Sequence, residues 1–184
     1  DPEGFSQRLE MICTSVSLKD VVDLPPTRDI KIEVELEAEG MKVYRSVAEE
    51  MVAEFEDGTM IASNTLTRLL RLQQITGGWL GGIELDDGTT GARRVGKEKE
   101  RALRDLIDGI SPDEPVVVFT RFTTDTRMAH TVAVESGRDA YEISGSANTL
   151  SLWRDACDSA GEQGRAAPVI VVQIQSGGAG SRST

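Results

Sequence analysis

The sequence predicts an α/β fold, a parallel β-sheet with helices on both of its faces, preceded by a helical and hairpin segment. From Lys97 onward, helical patterns and short apolar runs alternate in the order helix, strand, helix, strand, helix, strand. This alternation is typical of a parallel sheet, because the chain must cross back through a helix before it can add the next parallel strand. Residues 116–119 form a continuous apolar run, as expected for a strand that is covered on both faces, and residues 169–172 are expected to form the last strand.

The beginning of the chain predicts a connector followed by a strand. Residues 1–28 have no clear period, and they include Leu24-Pro25-Pro26, which favours a stiff, extended backbone because proline fixes its own φ and extends the residue before it. Ile30, Ile32, Val34 and Leu36 alternate with charged residues. A period of two predicts a half-buried strand over residues 30–36.

Two helices and a hairpin are predicted next. Apolar residues recur at helical spacing over 41–55, and Asp57-Gly58 ends this helix. A second helical stripe covers 66–75 and stops at Gly77-Gly78. Residues 79–95 have the pattern of a hairpin insert, with Asp86-Asp87-Gly88 as its turn. The sequence therefore divides into a connector (1–28), a segment with a strand, a helical pair and a hairpin insert (29–96), and an α/β lobe (97–184).

Within the lobe, each element is predicted from its apolar spacing. Helices are expected around residues 103–110, 128–133 and 152–157, and strands at 116–119, 140–143 and 169–172. Pro112 stops the first of these helices. Phe119 and Phe122 are expected in the core.

Composition and charge exclude several classes of function. The formal net charge is −11, so an autonomous DNA-binding module is disfavoured, because affinity for nucleic acid comes mainly from lysine and arginine at phosphates. His130 is the single histidine and Cys13 and Cys157 are the two cysteines, which disfavours a zinc site, a disulfide framework and a Ser-His-Asp triad. The apolar runs are too short to span a bilayer, and the amino terminus has no secretory pattern. A cytoplasmic location is expected.

Residues 91–97 match the first seven places of the phosphate-loop pattern G-x-x-x-x-G-K-[ST]. The eighth place is Glu98, where the pattern requires a hydroxyl group to bind Mg²⁺. A carboxylate there would repel a triphosphate, and Asp86 to Thr90 precede the match where a buried strand should stand. We therefore interpret this segment as a loop that leads into the helix beginning near Lys97.

Three ordered segments carry a resemblance to a known family. Residues 116–123 (VVVFTRFT) are similar to a "vlvFsqFt" strand, residues 142–146 (EISGS) to an "L-D-G-S-T" segment, and residues 172–180 (VQIQSGGAG) to a strand and glycine loop "S-T-R-A-G-G-L-G". Upstream, DLPP at 23–26 and LLRLQQI at 69–75 are similar to a "dLPpk" bridge and an "L-r-q-i" helix. These motifs belong to the second, C-terminal lobe of Swi/Snf-type DNA-dependent ATPases of superfamily two, and the glycine loop resembles that of the bacterial and phage members.

The resemblance implies a RecA-like lobe whose site lies at the carboxyl ends of the strands, where open α/β sheets bind ligands. Glycines after a buried strand expose amide N–H groups to a phosphate, and the amides of Ser176 and Gly177 are the favoured donors. Gly178 and Gly180 are implied to couple DNA contact to the ATP cleft. Ser144 replaces the family's usual acidic residue or histidine, and Gln175 stands where arginine is common. The residues implied to bind the DNA backbone are Thr120, Arg121, Ser144, Gly145, Ser146, Gln175, Ser176 and Gly177.

The resemblance also implies partners and cofactors. ATP and Mg²⁺ belong to the intact parent protein, with none expected to bind tightly to this chain, and the partners are DNA and an N-terminal ATPase lobe, with no membrane. The family's own phosphate loop and D-E-x-H box lie in that first lobe, and its arginine-finger segment follows the glycine loop. None of these segments occurs in this sequence, so no catalytic residue is assigned, and we expect the chain alone not to hydrolyse ATP.

Two alternative functions remain open at this point. One is a non-enzymatic acidic α/β module that docks a protein through residues 79–95 and the helices over 41–75. The other is a small nucleotide-binding enzyme that uses the glycines over 177–180, although no metal cluster or nucleophile accompanies them in the sequence.

Overall fold

The computed structural model describes residues 26–56, 62–84, 88–161 and 164–177. The chain divides into two units, Asp1–Glu33 and Val34–Thr184. In the first unit, residues 26–33 form neither helix nor strand, and an exposed ion pair joins Lys31 Nζ to Glu33 Oε1 at 3.0 Å.

The strand predicted over residues 30–36 is wrong. Residues 26–37 have no regular secondary structure, and Ile30 is 70% exposed. An alternating pattern produces a half-buried strand only where a partner strand and an apolar surface receive it. Within the described part of the chain, no residue forms β-sheet hydrogen bonds with this segment.

The predicted helical pair and hairpin are confirmed. Helix α1 spans Ala38–Glu56 and packs against α2, Ala62–Thr76. Strands β1 (Trp79–Glu84) and β2 (Thr90–Arg94) pair antiparallel. Gly78 joins α2 to β1 with a φ of +89°, and its carbonyl accepts from Val95 N at 2.9 Å. The predicted turn residues Asp86 and Asp87 lie outside the described residues.

The predicted alternation of helices and parallel strands is also confirmed. The strands lie in the order β3-β5-β4, and β5 pairs parallel with both neighbours. The elements are α3 (Glu98–Gly109), β3 (Val116–Thr120), α4 (Thr123–Glu135), β4 (Ala140–Ile143), α5 (Leu150–Ala160), β5 (Val169–Gln173) and α6 (Ile174–Gly177).

Helices cover both faces of this sheet. On one face, Val169 and Val171 of β5 pack with Ile107 of α3 and with Ala129 and Val132 of α4. On the other face, residues of β4 and β5 pack against α5, in a cluster that includes Ile143, Ile170, Val172, Leu150 and Trp153. The central strand is therefore buried on both sides.

Strand β3 departs from the prediction that both of its faces are covered. Val117 is 46% exposed and Phe119 is 67% exposed, so placing Phe119 in the core is wrong, whereas Phe122 is half-buried. The reason is that α5 packs on β4 and β5, while β3 lies at the edge of the described sheet. One apolar face of β3 is thus left open to solvent.

The buried side chain of Arg138 forms hydrogen bonds near the amino-terminal ends of the sheet strands. Its Nη1 donates to the carbonyls of Glu114 (2.8 Å) and Ala167 (3.2 Å), and its Nη2 donates to those of Ile110 (2.9 Å) and Ser111 (3.0 Å). These carbonyls come from the connection between α3 and β3 and from the approach to β5. One guanidinium therefore connects the chain segment that leads into β3 with the segment that leads into β5.

No helix in the described part of the chain is long and apolar enough to cross a membrane.

Candidate functional site

The three family-like segments follow three strands that end at the same edge of the sheet. Thr120 lies beside Gln173, and Ile143 lies beside Val172, in the parallel register. Because the strands are parallel, the loops that follow them emerge on one side. Those predicted site residues that the structure describes therefore lie near a common edge.

The loop after β4 is a compact turn. Ser144 N donates to the carbonyl of Ala147 at 2.8 Å, and Ser146 N donates to Ser144 Oγ at 3.2 Å. The two serine hydroxyls lie 3.1 Å apart. A Cβ added at Gly145 would lie 4.0 Å from Ser176 Oγ, so the second and third segments approach one another closely.

The segment after β3 contains one engaged hydroxyl and one exposed cation. Thr120 is buried, and its Oγ1 lies 2.8 Å from Thr126 Oγ1 and 3.5 Å from the carbonyl oxygen of Val172. Its hydroxyl therefore joins β3 to α4 and β5. Arg121 is exposed, and its guanidinium carbon lies 5.7 Å from the centre of the Phe122 ring. Of these two residues, Arg121 has the side chain suited to reach a phosphate.

The segment after β5 begins with a single helical turn, α6, rather than an open glycine loop. Gln175 is exposed and Ser176 is half-buried within this turn, which ends at Gly177. Gly178 and Gly180 lie outside the described residues.

A cleft of about 480 Å³ opens beside the end of β3. Its walls are formed by the end of α2, the start of α3, the start of α4 and the end of β3. Its charged lining residues are Lys99, Arg121 and Asp125. Its other lining residues are Gln73, Thr76, Leu103, Val118, Phe119, Thr120, Phe122, Met128, Ala129 and Ile174.

Asp125 is the acidic group of this cleft. Burial raises the pKa of its carboxyl group, and the positive charge of Lys99 and a hydrogen bond from the Phe122 backbone only partly oppose that rise. A Cβ added at Gly77 would lie 2.9 Å from an Asp125 oxygen, so the end of α2 packs closely over this carboxylate. The cleft thus combines two cations that can bind phosphate oxygens with one partly desolvated acid.

The phosphate-loop-like string does not have the form of a phosphate-binding loop. Gly91 and Arg94 lie in β2; Arg94 pairs with Glu100 and lies over the Trp79 ring, 4.9 Å from its centre. Glu98 is buried, and its carboxylate accepts the backbone N–H of Glu37. The residues present therefore do not fit a bound triphosphate. The interpretation of this segment as a loop that leads into the helix holds only for residues 95–97, because residues 91–94 belong to β2.

Sequence reasoning missed Lys99, Asp125 and Gln73. Asp125 follows Thr120 by five positions, so the general placement of sites just beyond parallel strands could have identified it. Lys99 and Gln73 precede the sheet in sequence. Their place at this edge depends on how α2 and α3 pack, which no local pattern specifies. Within the described residues, no three His, Cys, Asp or Glu side chains are grouped to hold a metal ion.

Comparison of the chain with protein-family models, with curated proteins and with solved structures finds no match.

Proposed function

We propose that this chain is the second, C-terminal lobe of a Swi/Snf-type DNA-dependent ATPase, with a RecA-like fold, and that it supplies part of the DNA-backbone grip and one side of the ATP cleft. The observation that supports this proposal most directly is the common edge of the sheet. Three segments with family-like sequences follow β3, β4 and β5 there, and Gly145 and Ser176 approach one another.

The site binds DNA through phosphates rather than through base edges. Arg121 provides a charged fork that matches phosphate oxygens, and the hydroxyl of Ser146 and the amide of Gln175 are exposed donors at the same edge. Because the whole chain carries a net charge of −11, binding depends on this local arrangement and falls steeply with salt. The grip of the isolated lobe is therefore weak.

In the intact protein, ATP and Mg²⁺ are held mainly by the first lobe. Opening and closing of the two lobes then shifts their grips along one DNA strand, which produces translocation. This chain contributes the lobe that moves relative to the first lobe during this cycle. On its own it has no DNA-stimulated ATPase activity, and turnover that persists through stringent purification would overturn this part of the proposal.

The DNA grip is tested by titrating labelled single-stranded and duplex oligonucleotides with the chain at low ionic strength. Arg121→Ala is expected to weaken binding several-fold and to lower the slope of log K against log salt by roughly 0.9 for each phosphate that is no longer neutralised. Arg45→Ala removes an equally exposed arginine from α1 and is expected to leave binding unchanged. Absence of DNA binding by the unmodified chain, or equal weakening in the two variants, contradicts the proposal.

A second candidate function, a protein-docking module, is favoured by exposed apolar residues on the helical pair. Leu66 and Leu69 lie three positions apart on α2 and are both exposed, as is Val52 on α1. In the parent protein, Leu66→Lys together with Leu69→Lys would abolish partner binding and spare DNA-dependent activity if docking were the function. The DNA-lobe proposal instead expects Arg121→Ala to impair that activity.

A further inference from the structure

We propose that Lys99 is a second cation of the DNA-backbone site and binds phosphate together with Arg121 in the cleft beside β3. This inference rests on the proposed function, since it identifies a further residue of the same grip. Lys99 is the second residue of α3 and comes from a part of the chain that precedes every strand of the parallel sheet. The family-like segments do not include it.

The first support is the shared cleft. Lys99 and Arg121 line the same cavity at the carboxyl end of β3, together with apolar residues such as Leu103 and Met128. A cavity of about 480 Å³ is roughly 8 Å across if it is as wide as it is deep, and one strand of duplex DNA carries a phosphate per roughly 3.4 Å of axis. The cleft is therefore large enough to receive a backbone phosphate, and both cations line it.

The second support is that the neighbouring arginines of α3 form ion pairs outside the cleft. Arg101 pairs with Glu37, and Arg104 pairs with Glu135. Both arginines lie on α3, and in each the guanidinium is held by a carboxylate outside the cleft. Lys99 instead lines the same cleft as Asp125, and its positive charge lowers the pKa of that carboxyl group, against the larger effect of burial.

The third support is the charge of the cleft. Its charged lining residues are two cations and one acid, so the ionised cleft carries one net positive charge. Removal of Lys99 would leave Arg121 opposed by Asp125, and the net charge would be zero. An ammonium group has three donors and can bind a phosphate oxygen while its charge still acts on the Asp125 carboxylate. Lys99 therefore determines whether this cleft attracts a phosphate.

The test measures binding of a fluorescent oligonucleotide to the full chain by anisotropy over a series of salt concentrations. Lys99→Met keeps an apolar stem of similar length and removes the charge. It is expected to weaken binding about five- to tenfold at low salt and to reduce the salt slope by roughly 0.7 to 0.9, the value for one phosphate left without its cation. Lys97→Met is the matched control, because Lys97 is exposed, lies two residues away and does not line the cleft.

Two further variants keep the test decisive if Lys99→Met is poorly folded. Lys99→Arg retains the positive charge and is expected to retain the salt slope, whereas Asp125→Asn removes the opposing charge and is expected to strengthen binding. Equal binding by the Lys99→Met and Lys97→Met variants, with Arg121→Ala still weakened, would refute the role of Lys99 and leave the proposed function standing. Unchanged binding by the Asp125→Asn variant would refute the charge balance on which that role depends. Failure of the unmodified chain to bind DNA would refute both proposals.

Discussion

Arg138 provides the sharpest test of how the α/β unit is held together. Arg138 is only 5% exposed, and its guanidinium donates to four backbone carbonyls, of Ile110, Ser111, Glu114 and Ala167. Arg138→Ala removes the donors and leaves these carbonyls to find water or remain unpaired. The substitution is therefore expected to destabilise the entry of both β3 and β5 into the sheet.

The magnitude follows from the number and setting of the hydrogen bonds. A hydrogen bond from a charged group contributes roughly 1.5–3 kcal/mol. Ser111 and Glu114 are exposed, so water can replace the donor at their carbonyls, whereas Ala167 is buried and Ile110 half-buried. Counting the two less exposed bonds, we expect Arg138→Ala to lower the free energy of unfolding by about 3–6 kcal/mol, which corresponds to a fall of roughly 6–24 °C in Tm for a chain of this size.

Urea denaturation followed by circular dichroism measures this decrease, with two companion variants. Arg138→Lys keeps the charge but cannot reproduce the planar fork, so about half the decrease is expected. Arg165→Ala removes an arginine whose ion pair with Asp139, at 3.2 Å, is solvent-exposed, and it should cost less than about 1 kcal/mol. If Arg138→Ala proves no more destabilising than Arg165→Ala, the buried guanidinium does not have the structural role assigned to it.

The remaining predictions concern Asp125, Glu98 and Val117. Because burial raises the pKa of Asp125 above its ordinary 3.8, its ionised form is disfavoured in the fold, and stability falls as pH rises from 3.8 through the folded pKa. Asp125→Asn should therefore raise the urea midpoint at neutral pH and flatten this part of the stability–pH curve; an unchanged or lower midpoint contradicts the assigned desolvation. Glu98→Thr completes the phosphate-loop pattern, yet calorimetry should detect no ATP binding, and removal of the acceptor for the Glu37 N–H should lower stability by about 1–3 kcal/mol. Tight ATP binding by this variant would reverse our interpretation of the segment. Val117→Lys places a charge on the open face of β3, where Val117 is 46% exposed, and should change the free energy of unfolding by no more than about 0.5 kcal/mol; a much larger decrease in urea denaturation would show that this face is covered.

The elements that the sequence predicts well are those whose patterns reflect burial within one contiguous segment. Strand β5 is an uninterrupted apolar run and is buried on both faces, because it lies at the centre of the sheet. Helices α1, α2 and α4 carry apolar residues at helical spacing and form over longer ranges than their apolar cores indicate. In β5 and α4, the residues that define the pattern also make the contacts that stabilise the element, whereas Leu66 and Leu69 of the α2 pattern are exposed.

The errors occur where structure depends on a neighbour that a local pattern cannot identify. Ile30 and Ile32 alternate with charges as strand residues do, but no described strand pairs with them. Val117 and Phe119 belong to an apolar run like that of β5, yet β3 lies at the edge of the described sheet. An apolar sequence indicates strand formation, whereas the order of strands decides whether one face or both are covered.

The candidate site divides in the same way. The strand ends at Thr120, Ile143 and Gln173 could be expected at one edge, because parallel strands align their carboxyl ends. Two features of this edge could not be expected from the sequence, because both depend on helix packing. They are the hydrogen bond between Thr120 and Thr126 and the position of Lys99 in the cleft. The charge of the cleft is consequently a property of tertiary structure.

The acidity of the chain is compatible with the proposed function once charge is considered locally. Under the proposed function, a net charge of −11 repels DNA from most of the surface, and productive encounter is expected at the edge where Lys99 and Arg121 lie. A grip with so few cations is weak, and weakness suits a lobe that must release the backbone at every step of translocation. Strong binding by many cations would slow that release, since each phosphate contact must be broken before the lobe moves. On this reasoning, extra positive charge at the cleft, as in the Asp125→Asn variant, should tighten DNA binding while it slows translocation by the intact protein.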